Sequence, residues 1–238
     1  MALVLRRGLL AGLVAGLVSG AYLLVAGEPV IDQALRYEVM PAGHVEVVSR
    51  GTQHLGLVVG AVLYALALGG VFAFVAFLLE PRLRGGSAWD RSIRLAAVAF
   101  ATVWLVPFLK YPANPPGVGD PTTVGDRSRL YLAMVAVSLG ASVAAWQIAR
   151  RLAERGVEPW RRQLAVGAGY VAVVGLALAL LPQVPVRVLV PAQVLWEARL
   201  ASASGQALLW AVLGAVFGVL SVRAEDRDRP EVPAGAGR

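Results

Sequence analysis

The sequence predicts an all-α integral membrane protein with six transmembrane helices in three hairpins and both termini cytoplasmic. Composition is the first reason. Apolar residues are 58% of the 238 and charged residues only 16%, against about 45–50% and about 25% in a soluble domain. Clustering is the second: the stretches 8–27, 51–79, 95–109, 130–149, 163–186 and 200–222 contain no Asp, Glu, Lys or Arg. A helix needs about 20 apolar residues to cross the hydrocarbon, and one ionised residue at its centre costs roughly 2.5–3.5 kcal/mol. Backbone groups in lipid must pair within each segment, and these runs are too apolar for alternating barrel strands. Charge distribution is the third reason, and it sets the orientation. With six spans the ends and the two even-numbered connections hold fifteen basic residues, and the opposite side holds seven. Basic loops stay in the cytoplasm, which accounts for the net charge of +7 without nucleic acid as a partner. The absence of cysteine excludes a disulfide scaffold, a thiolate metal site and a Cys nucleophile. The expected organisation is a membrane domain over 1–222 and a disordered, charged, Pro/Gly-rich tail over 223–238.

Span one follows Arg6-Arg7 and ends in Val25-Ala26-Gly27, as a signal peptide does. Its length exceeds the roughly 7–15 residues of a signal core, so it is expected to be retained. Gly8, Gly12, Gly16 and Gly20 share one face at spacing four, where small residues let two membrane helices approach closely. Gly56/Gly60 and Gly214/Gly218 repeat the spacing and are expected to pack likewise.

In loop one, Glu28, Asp32 and Arg36 share a helical face and Pro29 suits a first turn. Pro41 and Gly43 break that helix. A second stretch, with Glu46, Arg50 and His54 on one stripe, runs into span two. Both stripes fit interfacial amphipathic helices with local ion pairs.

Span three has only 15 uncharged residues between Arg94 and Lys110, which as a helix reach about 22 Å. Either Arg94 snorkels, or Lys110-Tyr111-Pro112 lies below the outer surface, inside protein or a water-filled cavity. Pro107 is expected to kink this span. Four prolines between Pro112 and Pro121 make loop two a stiff, extended segment. Lys110, the one lysine in the chain, reads as a cation on a helix C-terminus or as a gate or counter-charge near Asp120 or Glu28.

Loop three passes Pro182, Pro185 and Pro191 to Trp196, Glu197, Arg199, Gln206 and Trp210. Trp196 and Arg199 suit an interfacial anchor, and Gln206, deeper in span six, needs an interhelical partner.

Both histidines of the chain, His44 and His54, fall in or beside loop one, and His is a common metal ligand. Ten residues apart, they stand about 15 Å along a helix and about 80° off in azimuth, so one straight helix cannot bring both to one ion. A site needs one His with carboxylates from other loops, such as Glu28, Glu46, Asp120 or Glu197. Such an N/O donor set suits Co²⁺, Ni²⁺ or Mn²⁺ better than soft Cu(I). A solvated or interfacial histidine is the alternative. No Ser/His/Asp spacing, His-Glu-x-x-His or paired intramembrane carboxylate marks an enzyme. No Gly-x-x-x-x-Gly-Lys marks a nucleotide-driven pump.

Gly27-Glu28-Pro29, the stretch from His44 and Glu46 to Ser49-Arg50-Gly51, and Val106-Pro107-Phe108-Leu109-Lys110-Tyr111-Pro112-Ala113-Asn114-Pro115-Pro116 together resemble the CbtA family. So do Val118-Gly119-Asp120-Pro121 with Arg127 and Leu130-Tyr131, and Leu195-Trp196 with Arg199, Ser202, Gln206 and Trp210. The resemblance covers 1–222 and is most specific over 110–120. It implies a predicted cobalt transporter subunit serving cobalamin synthesis, with Co²⁺ as substrate and no tightly bound cofactor. Its implied partner is CbtB, a small, single-span, His-bearing subunit, and a homo- or hetero-oligomer fits that role. The expected setting is a bacterial plasma (inner) membrane, crossed several times. The combined expectation is that Co²⁺ meets His44, Glu28, Glu46 and Asp120 in a polar vestibule on the outer side. Lys110 and Arg199 flank the entry, and Tyr111, Asn114, Arg127, Glu197, Gln206 and His54 are further functional candidates. A non-transporting scaffold or accessory subunit of a larger membrane complex is the alternative. No catalytic residue is expected.

Overall fold

The computed structural model describes residues 1–37, 48–82 and 85–227. Among them six helices are long and apolar enough to span a membrane: α1 Ala2–Leu35, α2 Arg50–Arg82, α3 Ala88–Lys110, α4 Val124–Glu154, α5 Pro159–Leu180 and α6 Ala192–Arg227. All six expected spans are present. The only β pairing among the described residues is an isolated antiparallel bridge between Val118 and Val188.

The helix ends differ from the charge-free runs in instructive ways. The third helix does not start at Leu95 but at Ala88. Ser87 stands just before it, and its Oγ accepts from the N–H of Asp90 at 3.2 Å while the Asp90 carboxylate accepts from Ser87 N at 2.8 Å. This reciprocal cap satisfies the free N–H groups of the first turn. Arg91 and Arg94 turn back to the carbonyls of Gly86 and Gly85, each at 2.9 Å. The helix thus gains a charged first two turns and has 23 residues, roughly 34 Å, so the expected shortfall disappears. Span five ends at Leu180 rather than 186, just before Pro182, which with Pro185 keeps the chain non-helical.

Two helices change pitch on the way through. In α1 a π-helical segment, Leu23–Gly27, leads directly into Glu28–Leu35; the amphipathic helix expected in loop one is the end of the first helix. In α3 the π segment is Phe100–Leu105. Each ends two residues before a proline, Pro29 and Pro107. Proline lacks an N–H and its ring crowds the carbonyl four residues earlier, and a widened turn relieves both defects. At Pro107 the orphaned carbonyl is that of Val103, and the Tyr131 hydroxyl donates to it at 3.4 Å.

The chain divides into two units. The first comprises 1–25, 45–98 and 204–238. Here α1 and α2 run antiparallel in close contact: Gly8 lies on Gly69 and Ala73, Gly12 on Ala65, Gly16 on Val62 and Ala65, and Gly20 on Ala61. A Cβ at Gly8 or Gly12 would collide with the main-chain oxygen opposite, so glycine is what lets the backbones meet. Gly214 and Gly218 of α6 pack on Ala96, Ser92 and Trp89 of α3. Gly56 and Gly60 do not follow: a Cβ at either has nothing within 4 Å. Their equal spacing marks a helix face, but among the described residues nothing packs closely on it at these two positions. Phe72 and Phe217 meet edge to face at 5.2 Å, and Arg91 pairs with Glu225 at 2.6 Å.

The second unit comprises 26–44 and 99–203. Its core has two parts. Val106, Met134, Ala141 and Val174 join α3, α4 and α5. Interhelical hydroxyl bonds accompany them, Thr102 to Ser142 at 2.9 Å and Ser138 to Tyr170 at 3.3 Å. Val30, Ala34, Val118, Val190 and Val194 form the other part, where the end of α1 and the start of α6 hold the two proline-rich connections.

Candidate functional site

The connection after α3 is extended, as its prolines dictate, and it pairs with the connection after α5. Gly119 N donates to Arg187 O at 2.8 Å and Leu189 N to Gly117 O at 3.3 Å. Lys110, at the end of α3, donates to Leu178 O in the last turn of α5 at 2.6 Å. Tyr111 donates its hydroxyl to Pro182 O at 2.7 Å, and burial pushes its phenol pKa up. From the start of α6, Arg199 reaches Asn114 Oδ1 at 3.3 Å.

Arg127, in the first turns of α4, packs its guanidinium on Gly119, whose φ of +99° is one that residues with a side chain rarely adopt. Its Nη2 donates to Asp120 O at 3.3 Å. The Asp120 carboxylate accepts from Thr122 N at 2.8 Å and Thr122 Oγ1 at 2.6 Å. These bonds hold its pKa below the ordinary carboxylate value, and the charges of Arg187 and Arg127 add to the effect.

Beside these groups the second unit has a broad, open cavity of ≈ 1140 Å³. Five residues singled out from the sequence line it: Lys110, Tyr111, Asn114, Arg127 and Arg199. The sequence reading missed Ser128 and Leu132 of α4 and Trp104 and Phe108 of α3, and it passed over Tyr131 as a wall residue. The signal was present: 124, 127, 128, 131 and 132 form one helical stripe, and 104 and 108 stand one turn apart. Trp104 and Phe108 stack at 4.3 Å.

The carboxylates lie elsewhere. Among the described residues no Asp or Glu lines the cavity. Glu197 accepts from Gln193 at 2.8 Å. Glu28 is buried, 7% exposed, at the first turn after the π segment of α1. His54 and Gln206 belong to the first unit, where the Oε1 of Gln206 is buried with no hydrogen-bond partner among the described residues. His44 and Glu46 lie outside the described residues. Among the described residues no three His, Asp or Glu side chains gather to hold a metal ion.

A model of the CbtA family, described as a probable cobalt transporter subunit, matches residues 1–222. The chain belongs to the CbtA family. This CbtA chain is therefore a multi-pass membrane protein from a family of transporter subunits, not from a known class of enzyme. Being a subunit implies a partner, and six apolar helices imply surrounding lipid. No curated protein and no solved structure matches it.

Proposed function

We propose that this CbtA chain is the membrane subunit of a cobalt uptake system in a bacterial plasma membrane, receiving Co²⁺ at a polar vestibule on the outer side. The family match over 1–222 carries the reading. Glu28 stands buried, 7% exposed, in the first turn after the π segment of α1, at the head of loop one. In this reading His44 and Glu46 join Glu28 as ligands from loop one. Asp120 contributes only the lone pairs that Thr122 leaves free. Lys110 and Arg199 do not ligate; they hold the loops that frame the vestibule. The partner is the small single-span CbtB subunit, whose histidines would add nitrogen donors.

Uptake of radioactive Co²⁺ by cells carrying the chain, with and without the CbtB subunit, tests the proposal. Accumulation should depend on the chain and fall at least tenfold in Glu28→Gln and His44→Ala at equal membrane abundance. Unchanged uptake in either variant removes that residue from the site. Uptake that never depends on the chain, with a larger membrane complex co-purifying, establishes the scaffold role instead.

A further inference from the structure

The cavity of the second unit has the wrong chemistry for a bare cation. Lys110, Arg127 and Arg199 line it, and among the described residues no Asp or Glu does. Among the described residues their hydrogen-bond partners are neutral oxygens, a carbonyl for Lys110 and Arg127 and a side-chain amide oxygen for Arg199. The Asp120 charge is shared between Arg127 and Arg187, and Thr122 donates twice to its Oδ1. Positive charge around the cavity is therefore in excess.

The donors of two of these cations are also incomplete. The Nε atoms of Arg127 and Arg199 are buried with no hydrogen-bond partner among the described residues. A buried N–H on a charged group left without an acceptor is costly. An oxyanion supplies what is missing, because guanidinium N–H groups bind phosphate and carboxylate oxygens in charge-assisted bonds. The rest of the wall is aromatic and aliphatic, with Trp104, Phe108, Leu132 and Val186. The volume of ≈ 1140 Å³ is far more than an inorganic ion fills and slightly exceeds the roughly 300–1,000 Å³ of typical organic-ligand sites.

We propose that this cavity is a binding site for an amphipathic anion, with its phosphate on Arg127, Arg199 and Lys110 and its apolar part against Trp104 and Phe108. The inference is independent of the cobalt reading in its ligands, since neither Glu28 nor Asp120 lines the cavity. The phosphate comes either from an anionic phospholipid headgroup or from a soluble organic phosphate.

The test uses the full-length chain purified in neutral detergent and delipidated. Thermal stability and native mass spectra are recorded with phosphatidylglycerol, phosphatidylcholine, glycerol 3-phosphate or inorganic phosphate. Binding of phosphatidylglycerol about tenfold tighter than phosphatidylcholine, as expected for charge-assisted bonds to a net anion, assigns the site to lipid. Stabilisation by glycerol 3-phosphate, with no phosphatidylglycerol preference, assigns it to a soluble phosphate. The preference should disappear in the Arg127→Gln/Arg199→Gln chain and persist in Arg187→Gln, which alters an arginine outside the cavity wall. A wild-type chain that binds neither anion better than phosphatidylcholine overturns the proposal, whatever the variants do. So does a preference that survives the double substitution.

Discussion

The ammonium of Lys110 closes the last turn of a neighbouring helix by donating to Leu178 O at 2.6 Å. The final carbonyls of a helix have no intrahelical donor, and they carry the negative end of its dipole. Lysine at the end of α3 meets both needs of α5. The helix whose C-terminus it meets is not its own. Lys110→Met keeps the length and apolar stem but removes the donor. Its expected cost is about 1.5–3 kcal/mol, as for a hydrogen bond to a charged group. Thermal unfolding in detergent should show it as a lower melting temperature, partly restored in Lys110→Arg. A melting temperature equal to wild type would show that the bond does not hold these ends together.

The same argument from contact geometry separates two glycines of identical spacing. Gly12 lies against the Ala65 backbone, and Gly60 has nothing within 4 Å of a Cβ position. Gly12→Leu should therefore force α1 from α2 and cost about 1–3 kcal/mol or more by overpacking, seen as loss of folded protein from the membrane fraction. Gly60→Ala should be tolerated, with normal abundance. Equal behaviour of the two would remove the close-packed face as the reason for the stripe in α1.

Those two glycines also show what the sequence could and could not reveal. Charge-free runs locate the spans because the hydrocarbon excludes ionised groups. The proline density of 112–121 rightly forbids a helix, since proline removes donors wherever it stands. Spacing places Gly60 on a face, however, and only the tertiary arrangement decides whether a helix meets that face. Asp90, Arg91 and Arg94 made α3 look short because charge was read as the end of the span, whereas Ser87 and Asp90 cap a helix that begins among those charges. Lys110, Arg127 and Arg199 were each visible as odd cations. Their convergence was not, because it depends on pairing between two connections about 70 residues apart, Gly119 with Arg187.

The bond between Tyr131 and Val103 depends, by the argument from Pro107, on the missing N–H of that proline. A double-mutant cycle measures the dependence. Tyr131→Phe should cost roughly 0.6–2 kcal/mol, the range for interhelical bonds in membrane bundles. In a Pro107→Ala background the alanine N–H supplies Val103 O with a donor, so the same Tyr131→Phe change should cost less. Additive losses across the cycle would show that the hydroxyl is not compensating for the proline.

Asp120 gives the loop a pH dependence whose sign is fixed. Its folded pKa lies below the ordinary value because Thr122 donates to the carboxylate, with Arg187 and Arg127 nearby. A depressed carboxylate contributes stability above its unfolded pKa, about 4, and loses it as pH falls through the lower folded value. The melting temperature of the wild-type chain should drop as pH is lowered below about 4. Asp120→Ala should melt lower at pH 7 and converge on wild type in acid. A difference between the two that stays constant with pH would assign the loss to packing and not to the charge.

Orientation rests on arginine placement, fifteen basic residues against seven on the two sides of a six-span chain, and the absence of cysteine makes it directly measurable. Single cysteines at Ala113 and Arg155 are both exposed in the structure and lie in connections that six spans place on opposite sides. Retention of basic loops in the cytoplasm predicts that a membrane-impermeant maleimide labels Ala113→Cys on intact cells. Arg155→Cys should be labelled only after permeabilisation. The reverse pattern would turn the chain over in the membrane and put the phosphate cavity and the cobalt entry on the cytoplasmic side. In that case seven basic residues would lie where fifteen were expected, and arginine retention would not be what sets this topology.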